Sequence, residues 1–386
     1  MNIESAGGNG ELSRLFSPIK IAGLELPNRV VMAPMTRSFC GASAVPTAEV
    51  AAYYAARAAG GCGLIITEGT VVNMTDAHGY SGIPALCNDE QQAGWLQVTD
   101  AVHEAGGKIA IQLWHTGRLG HSRAMSGGQP LAPSAIAAQG LFRDFGDRET
   151  LAHDLPYEQP QAISLSQIDR VIEDFSEAAQ RAVAAGFDAI ELHGANGYLI
   201  HTFFNNSSNQ RSDKFGGDVA GRSEFAVRLI RSVRSAIGSL PLGIRLAQHA
   251  VNDYQWVTWA DQSELAICLE LLKSAGIDLL HSSGYRMDAP AFADGESLVA
   301  ALKRLSGLPA IGSGGITHSN TTAESFAGGV ADLADPAVAE RALEHGECDL
   351  IAVGRGLIAN PDWADRVESG DWRSLAPFDA SMLATL

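Results

Sequence analysis

Eight short apolar runs recur along this chain, each bounded by glycine, proline, asparagine or charged residues and each followed by a longer stretch with helical spacing. They predict strands at Val30 to Met35, Gly63 to Thr67, Lys108 to Leu113, Asp188 to Leu192, Leu242 to Leu246, Asp278 to Ser282, Pro309 to Gly312 and Asp349 to Val353. Between them, Ile168 to Ala185 reads as a helix opened by a Ser166-x-x-Asp169 capping box, and Arg222 to Ile237 as one carrying an apolar face of Phe225, Val227, Leu229, Ile230 and Val233. Strands alternating with helices make a parallel sheet, and eight such units point to a single closed (β/α)8 barrel of the TIM type. A doubly wound sheet is disfavoured, since no Gly-x-Gly-x-x-Gly follows the first strand. A length of 386 residues would suit two ordinary domains equally well, so the repeat selects the barrel and the size does not.

Residues 1–12 are expected to be a flexible N-terminus and 13–386 the barrel. The stretch from Gly120 to Ile163 is long, polar and rich in glycine, proline and alanine, and is expected to be an inserted segment after the third strand that caps the mouth. A second irregular stretch runs from Gln248 to Trp259.

A formal net charge of -17 argues against nucleic acid or an anionic membrane surface as partner, because both are bound through basic patches. The five cysteines, Cys40, Cys62, Cys87, Cys268 and Cys348, form no Cys-x-x-Cys, so neither a disulfide framework nor a structural metal site is indicated. Met1 to Glu11 is polar rather than basic and then apolar, and no uninterrupted apolar run approaches about 18 residues. A cytoplasmic protein is expected.

In such barrels chemistry gathers at the C-terminal ends of the strands. Those ends are polar here: Thr36 and Arg37, Glu68 and Gly69, Gln112 and Trp114, His193 and Asn196, Arg245, Ser282, Ser313 and Gly314, and Gly354 with Arg355. Gln112 and Arg245 stand inside otherwise apolar strands, where they are costly unless they meet a polar ligand or one another's kind in the core. His193-Gly194-Ala195-Asn196-Gly197-Tyr198 places an imidazole, a carboxamide and a phenol where a buried strand ends, a set able to grip a carbonyl oxygen and deliver a proton. Alone, the same six residues also suit a polar strand-to-helix turn with a capping Asn and a surface Tyr. Ser313-Gly314-Gly315 and Gly354-Arg355 close the last two strands, where barrels commonly build a phosphate site from backbone amides and a cation.

Together, Ala33-Pro34-Met35-Thr36-Arg37, Ile111 to Arg118 (Ile-Gln-Leu-Trp-His-Thr-Gly-Arg), His193-x-x-Asn196-x-Tyr198, Ser208 to Asp213 followed by Phe215-Gly216-Gly217, and Val353-Gly354-Arg355 with Ala359-Asn360-Pro361-Asp362 resemble the Old Yellow Enzyme family, in the family's order. The resemblance implies a barrel that binds FMN non-covalently and reduces activated alkenes with NADPH or NADH in a ping-pong cycle. It implies that Thr36 tunes the flavin, that Pro34, Met35, Gly69, Gln112 and Arg245 contact its ring, and that Ser313, Gly314, Gly354 and Arg355 hold its phosphate. His193 and Asn196 would bind the substrate's carbonyl or nitro oxygen, the reduced flavin would deliver hydride, and Tyr198 would protonate the neighbouring carbon. Tyr80 and Trp114 would line the substrate pocket, although a plain core role suits each as well. The resemblance implies the classical branch of the family, since Thr36 stands where a Cys marks the thermophilic-like relatives.

The C-terminal tyrosine of many relatives has no counterpart in Ala376 to Ala380, which leaves Phe378 as the aromatic candidate there, and the segment from Ser319 to Glu347 is hard to align. Iron-sulfur relatives would need a cysteine cluster, a flavin store would not need a proton donor beside an oxygen clamp, and a metal site on His193 and His201 lacks carboxylate neighbours. The expected partners are small activated alkenes, and the expected assembly is a monomer or homodimer.

Overall fold

The computed structural model describes residues 12–144, 146, 155–253, 255–320, 324 and 332–386. Eight parallel strands close on themselves: β1 (Val30–Met32), β2 (Leu64–Val71), β3 (Ile109–Trp114), β4 (Ala189–Asn196), β5 (Leu242–Ala250), β6 (Leu279–Ser283), β7 (Ala310–Ser313) and β8 (Leu350–Val353). β8 pairs with β1 and β3 with β4, so no strand is left at an edge. Each of the eight predicted strands is present, with shifted ends.

The shifts have local causes. β1 stops at Met32 rather than Met35, just ahead of Pro34, which has no N–H to give the ladder. β2 continues to Val71, past an irregularity between Ile66 and Gly69, where the Thr67 hydroxyl accepts the Gln112 N–H at 3.2 Å in place of a backbone carbonyl. β4 and β5 run on to Asn196 and Ala250 across a break in register between Gly194 and Asn196. Gln248 therefore begins no loop but stands within β5.

Helices α1 (Ala48–Ala59), α2 (Asp89–Glu104), α3 (Leu165–Ala184), α4 (Val219–Ile237), α5 (Gln262–Ala275), α6 (Leu298–Ser306) and α7 (Ala337–Glu344) surround the strands. The start of α3 corrects the expected cap. The capping box is Ser164 with Gln167: the Gln167 N–H donates to Ser164 Oγ at 3.2 Å and the Ser164 N–H to Gln167 Oε1 at 2.9 Å. Ser166-x-x-Asp169 lacks the Glu or Gln long enough to reach back. α4 starts at Val219, capped by Asp218, and so includes the buried Arg222 from which the helix was expected to begin.

Side chains alternate along each strand and sort into two cores. Leu113, Leu192, Ile244, Leu280 and Ile351 face outward to the helices, while Val31, Ile66, Ala110, Ala189, Leu279, Ile311 and Ala352 fill the barrel interior. A hairpin of Ile19–Ile21 and Leu24–Leu26 joins the interior cluster, so the lower barrel is packed shut and polar groups collect at the opposite end. Phe203, Phe204 and Leu64 to Ile66 are buried in the core.

Of the expected flexible N-terminus, residues 1–11 lie outside the described residues, and Leu12 is half-buried against the core. Within the Gly120 to Ile163 stretch, Leu131–Ala132 pairs with Gln161–Ala162 and Leu141–Phe142 with Leu155–Pro156, while residues 145 and 147–154 lie outside the description. Within Ser319 to Glu347, residues 321–323 and 325–331 lie outside it too. No helix among the described residues is long and apolar enough to cross a membrane.

Candidate active site

Strand register brings the buried polar residues together. Gly69, Gln112, Glu191 and Gly243 are successive partners across β2, β3, β4 and β5, and one step higher His193, Arg245 and His281 are partners across β4, β5 and β6. Glu191 and His193, two residues apart, share the inward face. Gln112 Nε2 donates to Glu191 Oε1 at 2.7 Å, and His281 Nδ1 lies 2.7 Å from Glu191 Oε2. Glu191 and His281 escaped the sequence reading. A Glu inside Asp-Ala-Ile-Glu-Leu is the clue that a buried carboxylate needs partners, but which strands supply them is a matter of register.

Burial works against ionisation of Glu191, yet the His281 ring, the Arg245 charge and Gln112 outweigh it, and its pKa is lowered. Burial, with help from Arg245, pushes His281 below the usual imidazole range against the pull of Glu191. The pair is therefore an ionised carboxylate holding a neutral imidazole by its Nδ1–H. His193 is driven well below the usual range by burial, then by the Arg245 charge, so it too is neutral.

Above this layer stands a box of rings. Tyr198 meets Trp114 edge-on at 4.7 Å between centroids and His193 at 4.9 Å, and Tyr80 stacks on Trp114 at 5.7 Å and on Phe142 at 5.3 Å. Phe142 comes from the inserted stretch. Burial raises the Tyr198 phenol above its ordinary range, with the Tyr80 hydroxyl the largest opposing influence. Asn196 turns the chain out of β4 with a φ of +64°, a left-handed conformation that Asn tolerates better than most residues, and Gly197 follows at +92°. Ser283 Oγ donates to Asn196 Oδ1 at 3.0 Å, which leaves the carboxamide nitrogen as the group to offer elsewhere. His201 is spent internally, accepting the Gly197 N–H at 2.8 Å and lying 2.7 Å from Thr258 Oγ1.

Around the rim, Thr36 is exposed and Pro34 and Met35 are half-buried on the loop after β1. That loop is held from below: Glu68 Oε2 accepts the N–H groups of Arg37 at 2.8 Å and Ser38 at 3.0 Å, and the Arg37 guanidinium donates to Tyr53 Oη and Met382 O, both at 3.1 Å. Arg37 thus points away from Thr36 and ties the loop to the C-terminal turn. Ser313 Oγ donates to Ser282 O at 2.6 Å, and a Cβ on Gly314, whose φ is +109°, would lie 2.4 Å from Gly284 O. Arg355 donates to Asn320 Oδ1 at 2.7 Å and to Asn320 O at 2.6 Å. Phe378 is buried, its N–H donating to His318 Nε2 at 3.0 Å.

Among the described residues, the buried polar atoms without a hydrogen-bond partner include His193 Nδ1, Arg245 Nε and His281 Nε2 on the strands and Trp114 Nε1 in the ring box. A buried donor or acceptor left without a partner costs about 1–3 kcal/mol, so the set is suited to receive a polar ligand. Beside them Gly69 leaves only bare backbone, and a Cβ there would sit 2.4 Å from Trp114 Cε3. A TIM barrel whose C-terminal mouth gathers an imidazole, a carboxamide, a phenol and a guanidinium with no hydrogen-bonded anion among the described residues carries the groups of an enzyme site where such barrels place one.

The sequence profile of the NADH:flavin oxidoreductase / NADH oxidase family matches residues 14–373, and the chain belongs to that family, the Old Yellow Enzymes. A chanoclavine-I aldehyde reductase of Penicillium roqueforti is 34% identical over 364 residues, which cover 93% of this chain and 90% of the relative. Among solved structures, the old yellow enzyme homologue from Zymomonas mobilis aligns over 96% of each chain with a TM-score of 0.81 at 31% identity. Morphinone reductase in complex with tetrahydroNAD aligns with a TM-score of 0.80 at 33% identity, over 96% of this chain and 93% of that one. The family's cofactor is FMN and its reductant NAD(P)H. The residues present fit such a group: the Arg245 guanidinium suits an electron-rich ring, and Arg355 is a cation just after the last strand, where barrels of this type commonly bind phosphate.

Proposed function

We propose that this protein is an ene-reductase, using NAD(P)H to reduce the activated C=C bond of α,β-unsaturated carbonyl or nitro compounds by a ping-pong mechanism. The observation that carries the reading is the placement of His193, Asn196 and Tyr198 at one end of β4, with Arg245, in register with His193, lacking a partner for its Nε among the described residues. FMN would sit with its ring against Pro34, Met35, Thr36, Gly69, Gln112 and Arg245, and its phosphate at Ser313, Gly314, Gly354 and Arg355. When bound, it supplies the two-electron chemistry, accepting reducing equivalents from NAD(P)H in one half-reaction and giving them to the alkene in the other.

The protein's own residues do the rest. His193, neutral, and Asn196, with Ser283 fixing its oxygen, each offer an N–H to the substrate oxygen. Charge grows on that oxygen as the β-carbon is reduced, and donors placed for it favour the transition state over the bound alkene. Tyr198 keeps its proton at neutral pH because burial raises its pKa, so it can hand that proton to the α-carbon and recover one from solvent. Tyr80 and Trp114 line the substrate space; the Trp114 ring meets the Tyr198 ring edge-on, and Tyr80 stacks on Trp114 and meets Tyr198 through its hydroxyl. Phe142, from the Gly120 to Ile163 stretch, reaches the aromatic box through Tyr80, which supports a capping role for that stretch.

An anaerobic visible spectrum of the FMN-loaded protein tests this reading, taken after one equivalent of NADPH or NADH and again after 2-cyclohexen-1-one. The flavin bands are expected to bleach and then return. Bleaching without return would remove the alkene site, and a protein that retains no flavin when saturated with FMN would overturn the reading as a whole.

A further inference from the structure

Glu191 belongs to none of the roles assigned above. It is 4% exposed, in mid-strand, and a buried carboxylate is tolerated only where partners repay the loss of water. Both of its oxygens have one: Gln112 from β3 and His281 from β6, each at 2.7 Å. His281 reaches across β5, where the residue in register with Glu191 is Gly243 and no side chain stands between them. Replacing carboxylate and imidazole by aliphatic side chains would be the simpler core, so the pair is there for what it holds.

We propose that Glu191 is a positioning residue for the flavin ring: it grips the Gln112 carboxamide by its nitrogen so that the oxygen faces the mouth as an acceptor, and it offsets the charge of Arg245. The proposal rests on the placement of FMN given above. A carboxamide can rotate by half a turn at little cost, and only a fixed acceptor on one side decides which end it shows. With Nε2 committed to Glu191, Gln112 presents an acceptor, which suits the N–H of a cyclic imide such as the flavin's pyrimidine edge; the flipped carboxamide would set N–H against N–H. Arg245 is buried and has no hydrogen-bonded anion among the described residues, and Glu191 is a source of negative charge acting on it. The protein therefore meets the ring with a nearly balanced pair rather than a bare cation, which limits how far it favours the extra negative charge of the reduced state. His281, held by Nδ1, keeps its unpartnered Nε2 as a further acceptor.

Two substitutions separate the arms. Glu191→Gln removes the charge, so the bound flavin should become easier to reduce, with the reduced-to-oxidised ratio at a fixed potential rising about tenfold, a positive midpoint shift of about 30 mV for a two-electron couple. Glu191→Asp keeps the charge but is too short to hold both donors, so FMN affinity should fall about tenfold while the midpoint stays near that of the parent. Dissociation constants come from the quenching of flavin fluorescence and midpoints from dye-coupled anaerobic titration of the loaded proteins. Parent-like midpoint in Glu191→Gln overturns the charge role, and parent-like affinity in Glu191→Asp overturns the positioning role; should Glu191→Gln fail to fold, the second test stands alone. Failure of the parent protein to bind FMN would sink the placement of the cofactor instead, a distinct result.

Discussion

Tyr198 owes its place to two neighbours that differ in kind. The left-handed Asn196 and Gly197 swing the chain so that Tyr198 stands at the N-cap of the short helix Leu199–Phe204, and the Trp114 and His193 rings fix its side chain. A half-buried phenol held this way has one use in the proposed cycle. Tyr198→Phe should slow flavin reoxidation by an enone about 100-fold or more while flavin reduction by NAD(P)H stays within about twofold of the parent, since general acid catalysis is worth that much to one half-reaction and nothing to the other. Stopped-flow absorbance of each half-reaction measures it, and equal losses in both would remove the proton-donor role. At this scale the sequence was informative about residue type: the imidazole, carboxamide and phenol all stand in one strand-end segment. It was silent about Glu191 and His281, ninety positions apart, because only the register of β4, β5 and β6 makes them neighbours.

Elements were legible in number and order, less so at their ends. Two serines compete to open α3, and they differ in what stands three residues on: Gln167 reaches the backbone of Ser164, whereas Asp169 is one carbon too short to do the same for Ser166. Ser164→Ala should lower stability by about 1 kcal/mol and Ser166→Ala by less than about 0.5 kcal/mol, read from urea unfolding curves. The reverse order would restore the cap first expected. The strand ends moved for similar local reasons, Pro34 cutting β1 short and the Thr67 hydroxyl carrying β2 across its irregularity. The loop after β1 gains its shape from remote parts, Glu68 at its base and the C-terminal turn behind Arg37.

Across the whole molecule, burial has left several histidines neutral. His193 lies well below its usual pKa, His201 falls to about 3, His318 to about 4, and His281 is also lowered, burial being the leading cause in each. The unfolded chain protonates all four near pH ~6.5 while the native state resists, so below that pH the unfolded state binds more protons and stability falls as pH falls, by up to about 1.4 kcal/mol per unit for each histidine. Asp76, held at about 2 against burial by His115 and Arg170, adds a loss of the same sign at still lower pH. Thermal unfolding midpoints should be flat between about pH 7 and 8 and drop steadily from about pH 6.5 to 5; equal midpoints at the two ends would mean these rings are protonated when folded. By itself the sequence determined what is local: the alternation of strand and helix that closes a barrel, the residue types at the strand ends, and the family motifs. Tertiary structure decided the rest, because a buried charge or an off-rotamer ring is settled by what lies across the sheet. The Glu191 hub, the turning inward of the His193 layer, the tying back of Arg37 and the aromatic box around Tyr198 all depend on contacts between strands and loops far apart in the chain, whose distances no spacing along the sequence encodes.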